Sequence, residues 1–279
     1  MDRSINVRFY KVGRAAKSHP TFIDQIQKIY KSGTAKERTK DAKGIKVRLE
    51  KLDTSSSVAE GEFIRLQETA YPSEVHDDKA IPLSTNQPLG HHIAFAYDIK
   101  RQVLALQYDL RALALSRINH YIAEYSPFNM YLFTPLYRND TWKSIESSPP
   151  KKIKIAVAYP AGLPQVAGPH KALYENISNL GTTFGTHILE VSMSMGQTDG
   201  VLRDSVAFLK DLARRGDSGE IDLRKLRAKP EDQPDEINLI DQVLNEEITL
   251  DLPKNDPTKS YAMRIAALKA GLQRNADKF

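Results

Sequence analysis

The chain contains no cysteine and a single tryptophan, Trp142. Without thiols it can form no disulfide, no thiolate nucleophile and no Cys-based zinc or iron–sulfur site. Long apolar runs are also missing: none approaches the roughly 18 residues that a bilayer-spanning helix needs. The opening Met1–Gly13 (MDRSINVRFYKVG) carries charges where a secretory signal needs an apolar core. These absences lead to the expectation of a soluble, cytoplasmic protein with no membrane insertion. There is no P-loop, no GxGxxG, no GxSxG and no HExxH, so no cofactor and no catalytic set is called for by motif.

What the chain does have is an uneven distribution of charge. Residues 1–51 hold fourteen Lys/Arg against five Asp/Glu, a net +9, while all 279 residues sum to +5, so residues 52–279 sum to −4. A local excess of this size sets up a positive surface field, whose commonest partner is nucleic acid phosphate. A hydrophobic share of 41% is enough to bury a core at this length, and a charged share of 27% is ordinary for a folded chain.

Periodicity then orders the chain. Ile5–Val12 alternates as a strand, and His19-Pro20 opens a helix whose apolar face is Phe22, Ile23, Ile26, Ile29 and Tyr30. Thr34–Gly44 is polar and basic and reads as a flexible loop. Ile45–Leu52 and Glu60–Thr69 read as strands joined by a Ser-rich turn, and Ile93–Tyr108 as a hairpin. Tyr71–Gly90, with Pro72, Pro82, Pro88 and Gly90, reads as an irregular connection and the best internal boundary. Asp109 is placed as the cap of a helix through Tyr125, ended by Pro127; Asn129–Leu136 and the apolar Ile153–Tyr159 as strands. Helices are expected at Pro169–Leu180, with Gly181 as stop, and at Val201–Arg215 with Asp199 as cap. Thr186–Met195, Glu220–Arg227 and Ile248–Leu252 complete the strands, and Asp256-Pro257 starts a last helix, Thr258–Asn275. This order is not a strict β-α alternation. It predicts an α+β fold with mostly antiparallel sheets and packed helices. The expected parts are a basic β-α-β-β segment (1–70), a connection (71–90), a central α+β domain (91–216) and a C-terminal piece (217–279) able to dimerise.

The first candidate site is the basic stretch Lys36, Arg38, Lys40, Lys43, Lys46 and Arg48, with Arg214 and Arg215 as possible helpers. Six cations in and just after a loop suit contacts to backbone phosphate, although edge strands also carry lysine simply to stay solvated. Few aromatics interleave them, which favours duplex over stacked single strands. Asp98-Ile99-Lys100 matches the D-x-K end of a nuclease core, which would need an upstream acid such as Glu62 or Asp78; at a hairpin tip it is more simply a turn. His91 and His92 are adjacent on a strand and therefore point to opposite faces, so no metal site is expected from them.

The element order of His92–Arg215 is a hairpin, a helix, two strands, a helix, a Met-containing strand and a basic-ended helix. It resembles the later part of the RexA-like phage-exclusion proteins. The opening Asn6–Gly13 (NVRFYKVG) resembles the start of KwaB-like phage-defence proteins. The resemblance is one of pattern over about half the chain and carries over no individual residue. It implies a RexA/RdgC-like fold and a homodimer that binds DNA without sequence preference, with room for a partner protein of a defence operon. Two alternatives stand beside this reading: a metal-dependent nuclease using Asp98 and Lys100, and a protein- or RNA-interaction module with a basic docking face.

Overall fold

The first strand is longer than its alternating pattern alone requires: β1 runs Asp2–Arg14 and buries Ile5, Val7 and Phe9. The computed structural model describes residues 2–77, 79–83, 85–126, 131–138, 141–164, 170–196, 201–202, 204–253 and 256–279. The chain divides into two compact units, Met1–Thr134 with Asn245–Phe279, and Pro135–Leu244. The architecture is α+β with antiparallel sheets, as the element order predicted.

In the first unit, helix α1 (Phe22–Lys31) is capped by the Thr21 hydroxyl, which accepts from the Asp24 amide. The strands β2 (Lys40–Asp41), β3 (Lys46–Asp53) and β4 (Val58–Gln67) follow, then β5 (Ser73–His76), β6 (Lys79–Pro82), β7 (Leu89–Asp98) and β8 (Val103–Gln107). Helix α2 (Leu115–Ala123) and strand β9 (Tyr131–Pro135) complete its N-terminal part. One face of the large sheet buries Val47, Leu49, Phe63, Ile93, Phe95 and Tyr97 against Phe22, Ile26 and Ile29 of α1 and Ile118, Tyr121 and Ile122 of α2. Removing that much apolar surface from water is the main stabilising term of the unit.

Two expectations about this region are corrected. Tyr71–Gly90 is not a boundary: the flanking β4 and β7 pair in register from Val58↔Asp98 to Gln67↔Leu89, and the segment between them contains the small β5–β6 hairpin. Asp109 does not cap a long helix. Its carboxylate accepts from the Arg111 and Ala112 amides, closing a single turn, and α2 starts later at Leu115. Asx side chains compete with helical bonding in this way. Pro127 lies outside the described residues.

The second unit opens with α3 (Thr141–Ser147) and the strand β10 (Pro150–Ala158). Then come α4 (Lys171–Phe184), β11 (Ile188–Ser194), α5 (Ser205–Ser218), β12 (Asp222–Pro230) and β13 (Ile237–Asn238). The sheet order is β11-β10-β12-β13, so the apolar β10 is internal, as its sequence predicted. Gly181 does not stop α4. The helix runs on to a cap at Gly185 in the left-handed region, and a Cβ at Gly181 would meet the Pro160 ring at 2.4 Å, so its bare backbone is what lets that proline approach. Helix α5 likewise begins later than expected, at Ser205, and the expected cap Asp199 and the residue Pro169 lie outside the described residues.

The C-terminal stretch is not a separate piece. β12 and β13 belong to the second unit, whereas β14 (Asn245–Asp251) returns to pair with β1 (Asp2↔Asp251 to Arg8↔Asn245). Helix α6 (Pro257–Arg274), capped by Asp256 through the Lys259 amide, then packs on β7, β8, β14 and β4, on the opposite face of the large sheet from α1 and α2. The resulting sheet order is β14-β1-β8-β7-β4-β3-β2, with β9 also pairing β1. Beneath α6 lies a buried ion pair: Arg264 Nη2 donates to Glu62 Oε1 at 2.6 Å and Nη1 to Gln107 at 3.1 Å. Burial alone would push the Glu62 carboxyl up, but His92 and Arg264 outweigh it and hold it below the ordinary glutamate value.

Candidate nucleic-acid interface

The basic segment after α1 is a fixed structure, not a flexible loop. Thr34-Ala35-Lys36-Glu37 forms a reciprocal cap: the Thr34 amide donates to Glu37 Oε2 at 2.6 Å, and the Glu37 amide donates to the Thr34 hydroxyl at 3.4 Å. Hydrogen bonding to the Glu37 carboxyl from the Thr34 amide first, and from the Thr34 hydroxyl second, holds it below its ordinary value. The Arg38 amide donates to the Thr34 carbonyl, closing one helical turn. The chain then reverses through a tight hairpin at Lys43-Gly44, both with positive φ (56° and 79°), and the Ala42 amide donates to Ile45. A two-residue turn with both φ positive matches the twist of the flanking strands β2 and β3. Asp41 accepts from the Gly44 amide, and Arg117 of α2 donates to the Lys43 carbonyl at 2.6 Å, so the tip is held from both sides.

This scaffold sorts the six predicted cations. Arg38 is spent inside the fold: its Nε donates to Leu49 O at 3.2 Å, its Nη1 to Gly33 O at 2.6 Å and to Tyr30 O at 3.4 Å, and its guanidinium lies 4.7 Å from the Tyr30 ring centre. It is not available to a phosphate. Lys36, Lys40, Lys46 and Arg48 line one groove of about 620 Å³, together with Thr39, Asp41, Leu66, Glu68, Gln87 and Pro88. Lys46 and Arg48 are alternate residues of β3, so they share the face opposite the core residues Val47 and Leu49.

Within the groove Lys46 pairs with Glu68 at 2.8 Å and Arg48 with Glu50 at 2.5 Å. The Lys46 pair is about half exposed (48% and 44%) and therefore weak and exchangeable, whereas the Arg48 pair is less exposed (21% and 29%). Lys36 and Lys43 make no ion pair among the described residues, and Lys40 lies 5.4 Å from the Tyr125 ring centre. The cations placed to reach an outside anion are thus Lys36, Lys40, Lys43 and Lys46.

Arg214 and Arg215 sit in the other compact unit and are committed to a network there. Arg214 Nη2 donates to Asp211 at 2.8 Å, Arg215 Nε to the same carboxylate at 3.0 Å, and Arg215 Nη1 to Glu220 at 2.6 Å. Burial alone would raise the Asp211 carboxyl, but the two arginines outweigh it and hold it below its ordinary value. Neither arginine is a free phosphate ligand, which overturns the expectation that they help at the loop.

The D-x-K segment is a turn. Asp98 Oδ1 accepts from the Arg101 amide and Oδ2 from the Arg101 guanidinium, both at 2.8 Å, and the carboxylate is mostly buried. Glu62 sits four positions away along the paired strands, opposite Ala94, and is engaged by Arg264. Asp78 is outside the described residues. Asp98, Lys100 and Glu62 therefore do not converge, and among the described residues no group of three or more His, Asp and Glu gathers to hold a metal ion. His91 and His92 do point to opposite faces: His91 Nε2 meets Gln67 Oε1 at 2.7 Å, and His92 Nδ1 lies 3.0 Å from Glu62 Oε2. Trp142 is buried in the core of the second unit, where its role is packing. No helix among the described residues is long and apolar enough to cross a membrane.

No curated protein matches this sequence. A family model does match it over residues 11–278, and the chain belongs to that family, DUF6731, a family of unknown function.

Proposed function

We propose that this protein binds nucleic acid, duplex DNA first, by neutralising backbone phosphates without reading base sequence. The observation that carries the reading is the gathering of Lys36, Lys40 and Lys46 on one groove, with Lys43 presented at the adjoining hairpin tip. These side chains project from a backbone already fixed by internal bonds, so little backbone entropy is lost when a phosphate is bound. Among the described residues no aromatic side chain lines the groove, which favours contacts to a duplex backbone over base stacking. The place of that binding in phage defence or exclusion, and the homodimer, rest on the sequence resemblance alone.

The test is binding of a fluorescent random-sequence duplex by the wild type and by a variant carrying Lys36→Glu, Lys40→Glu, Lys43→Glu and Lys46→Glu. Affinity should fall by at least a hundredfold with the fold intact by circular dichroism. Unchanged affinity would mean that the groove is only solvated surface.

A further inference from the structure

The sheet of the second unit carries a cationic face that its sequence does not announce, because its residues come from two strands some 70 positions apart, joined in register only by folding. In β10 the residues Ile153, Ile155 and Val157 point into the core with α4 and α5, as do Leu226 and Ala228 of β12. The alternate residues therefore share the other face: Lys152 and Lys154 from β10, and Lys225, Arg227 and Lys229 from β12. Beside them β11 contributes Ser192 and Ser194, which are exposed.

The register sets like charges directly opposite one another. Lys152 faces Lys229, and Lys154 faces Arg227. Such cross-strand pairs destabilise a sheet when nothing compensates them. Inside the protein the compensation is partial: Glu236 reaches Lys154 at 2.9 Å and Lys152 at 3.5 Å, and Glu190 pairs with Lys225 at 2.7 Å. These five cations against Glu190 and Glu236 leave a net +3 on this face, where Asp222 at the far end is matched by Arg224 at 2.7 Å. In the groove around Lys36, by contrast, four cations stand against Asp41 and Glu68.

We infer that this open sheet face is a second phosphate-binding surface, which takes the backbone of a nucleic acid duplex across Lys152, Lys154, Lys225, Arg227 and Lys229. Same-face residues on one strand are about 6.8 Å apart and neighbouring strands about 4.8 Å apart. That grid of cations suits a row of regularly spaced monoanions better than it suits a single small ligand. The serine hydroxyls of β11 add neutral donors at its margin, and the absence of aromatics among these residues directs contacts to phosphate and not to bases. An exposed phosphate relieves the like-charge pairs in the same step that releases counterions.

The test is lysine acetylation footprinting of the full chain, with and without random duplex DNA, read by mass spectrometry. It is run alongside binding by the pair variant Lys154→Glu/Arg227→Glu and its neutral counterpart Lys154→Gln/Arg227→Gln. The expected result is protection of Lys152, Lys154, Lys225 and Lys229, and at least a tenfold loss of affinity in the charge-reversed variant. The neutral variant should show a smaller loss and a salt slope shallower by about 1.8, from about 0.9 for each of two cations. Protection at Lys36, Lys40, Lys43 and Lys46 without protection of the sheet lysines would overturn this surface and leave the groove standing. Protection of the sheet lysines alone would support this surface and overturn the groove. Equal protection by polyglutamate of matched charge would overturn the nucleic-acid assignment in favour of an acidic protein partner.

Discussion

Replacing Arg38 with glutamine separates a structural cation from a binding one. The guanidinium bonds three carbonyls, of Leu49, Gly33 and Tyr30, and lies over the Tyr30 ring. A hydrogen bond from a charged donor contributes about 1.5 kcal/mol when well formed; the bond to Tyr30 is long at 3.4 Å and the side chain is partly exposed, so the set contributes about 2.5 kcal/mol. The ring contact adds about 0.5 kcal/mol at a partly exposed site. Arg38→Gln should therefore cost about 3 kcal/mol, whereas Lys36→Gln, on the exposed surface two residues earlier, should stay within about 0.5 kcal/mol. The assay is urea denaturation followed by far-ultraviolet circular dichroism, with amide exchange of β3 as the local readout. In salt titrations of DNA binding, run where the variant is still folded, Arg38→Gln should leave the slope unchanged and Lys36→Gln should reduce its magnitude by about 0.9. Wild-type stability in Arg38→Gln combined with a reduced slope would refute the assignment and return Arg38 to the phosphate ligands.

Other outcomes follow from the same geometry. Glu62→Gln leaves the buried Arg264 without its carboxylate and should cost about 3 kcal/mol in urea denaturation; a loss below about 1 kcal/mol would show that the pair is not balanced as described. Lys43→Asn places a residue that tolerates positive φ at the hairpin tip, so stability should rise by up to about 1 kcal/mol while DNA affinity falls; affinity and stability rising together would remove Lys43 from the interface. Asp211, held below its ordinary value, stabilises the fold above the unfolded aspartate pKa of about 3.9, and that contribution is lost as pH falls through its lowered folded value. The gap in urea midpoint between wild type and Asp211→Asn, followed through the buried Trp142, should therefore be widest at neutral pH and close in strong acid; a pH-independent gap would contradict it.

Much of the fold is legible in the sequence because it is local. The alternation of Ile5–Val12, the Asp256-Pro257 helix start and the internal strand Ile153–Tyr159 each follow from residues close together in the chain, and each holds. What the sequence does not reveal is long-range pairing. Nothing near Tyr71–Gly90 indicates that β4 and β7 are partners, and nothing near Asn245 indicates that β14 returns to β1. The candidate site follows the same division. Charge counting finds the basic segment, but the identity of Arg38 and Arg215 as internal ties depends on carbonyls and carboxylates brought in by folding. The cross-strand cations Lys154 and Arg227 are equally invisible until the register is known. The Thr34–Glu37 cap is the one local signal in the loop that could have been read in advance, since T-x-x-E is a capping-box spacing.

The central claim, phosphate neutralisation without base readout, is tested most directly by a salt titration of wild-type binding to several unrelated duplexes. The account predicts a linear fall of log K with log salt, with a slope of about −3.6 or steeper for the three groove lysines together with Lys43, and the same affinity for every duplex at matched salt. Binding that is insensitive to salt, or that differs more than tenfold between duplexes, would contradict it.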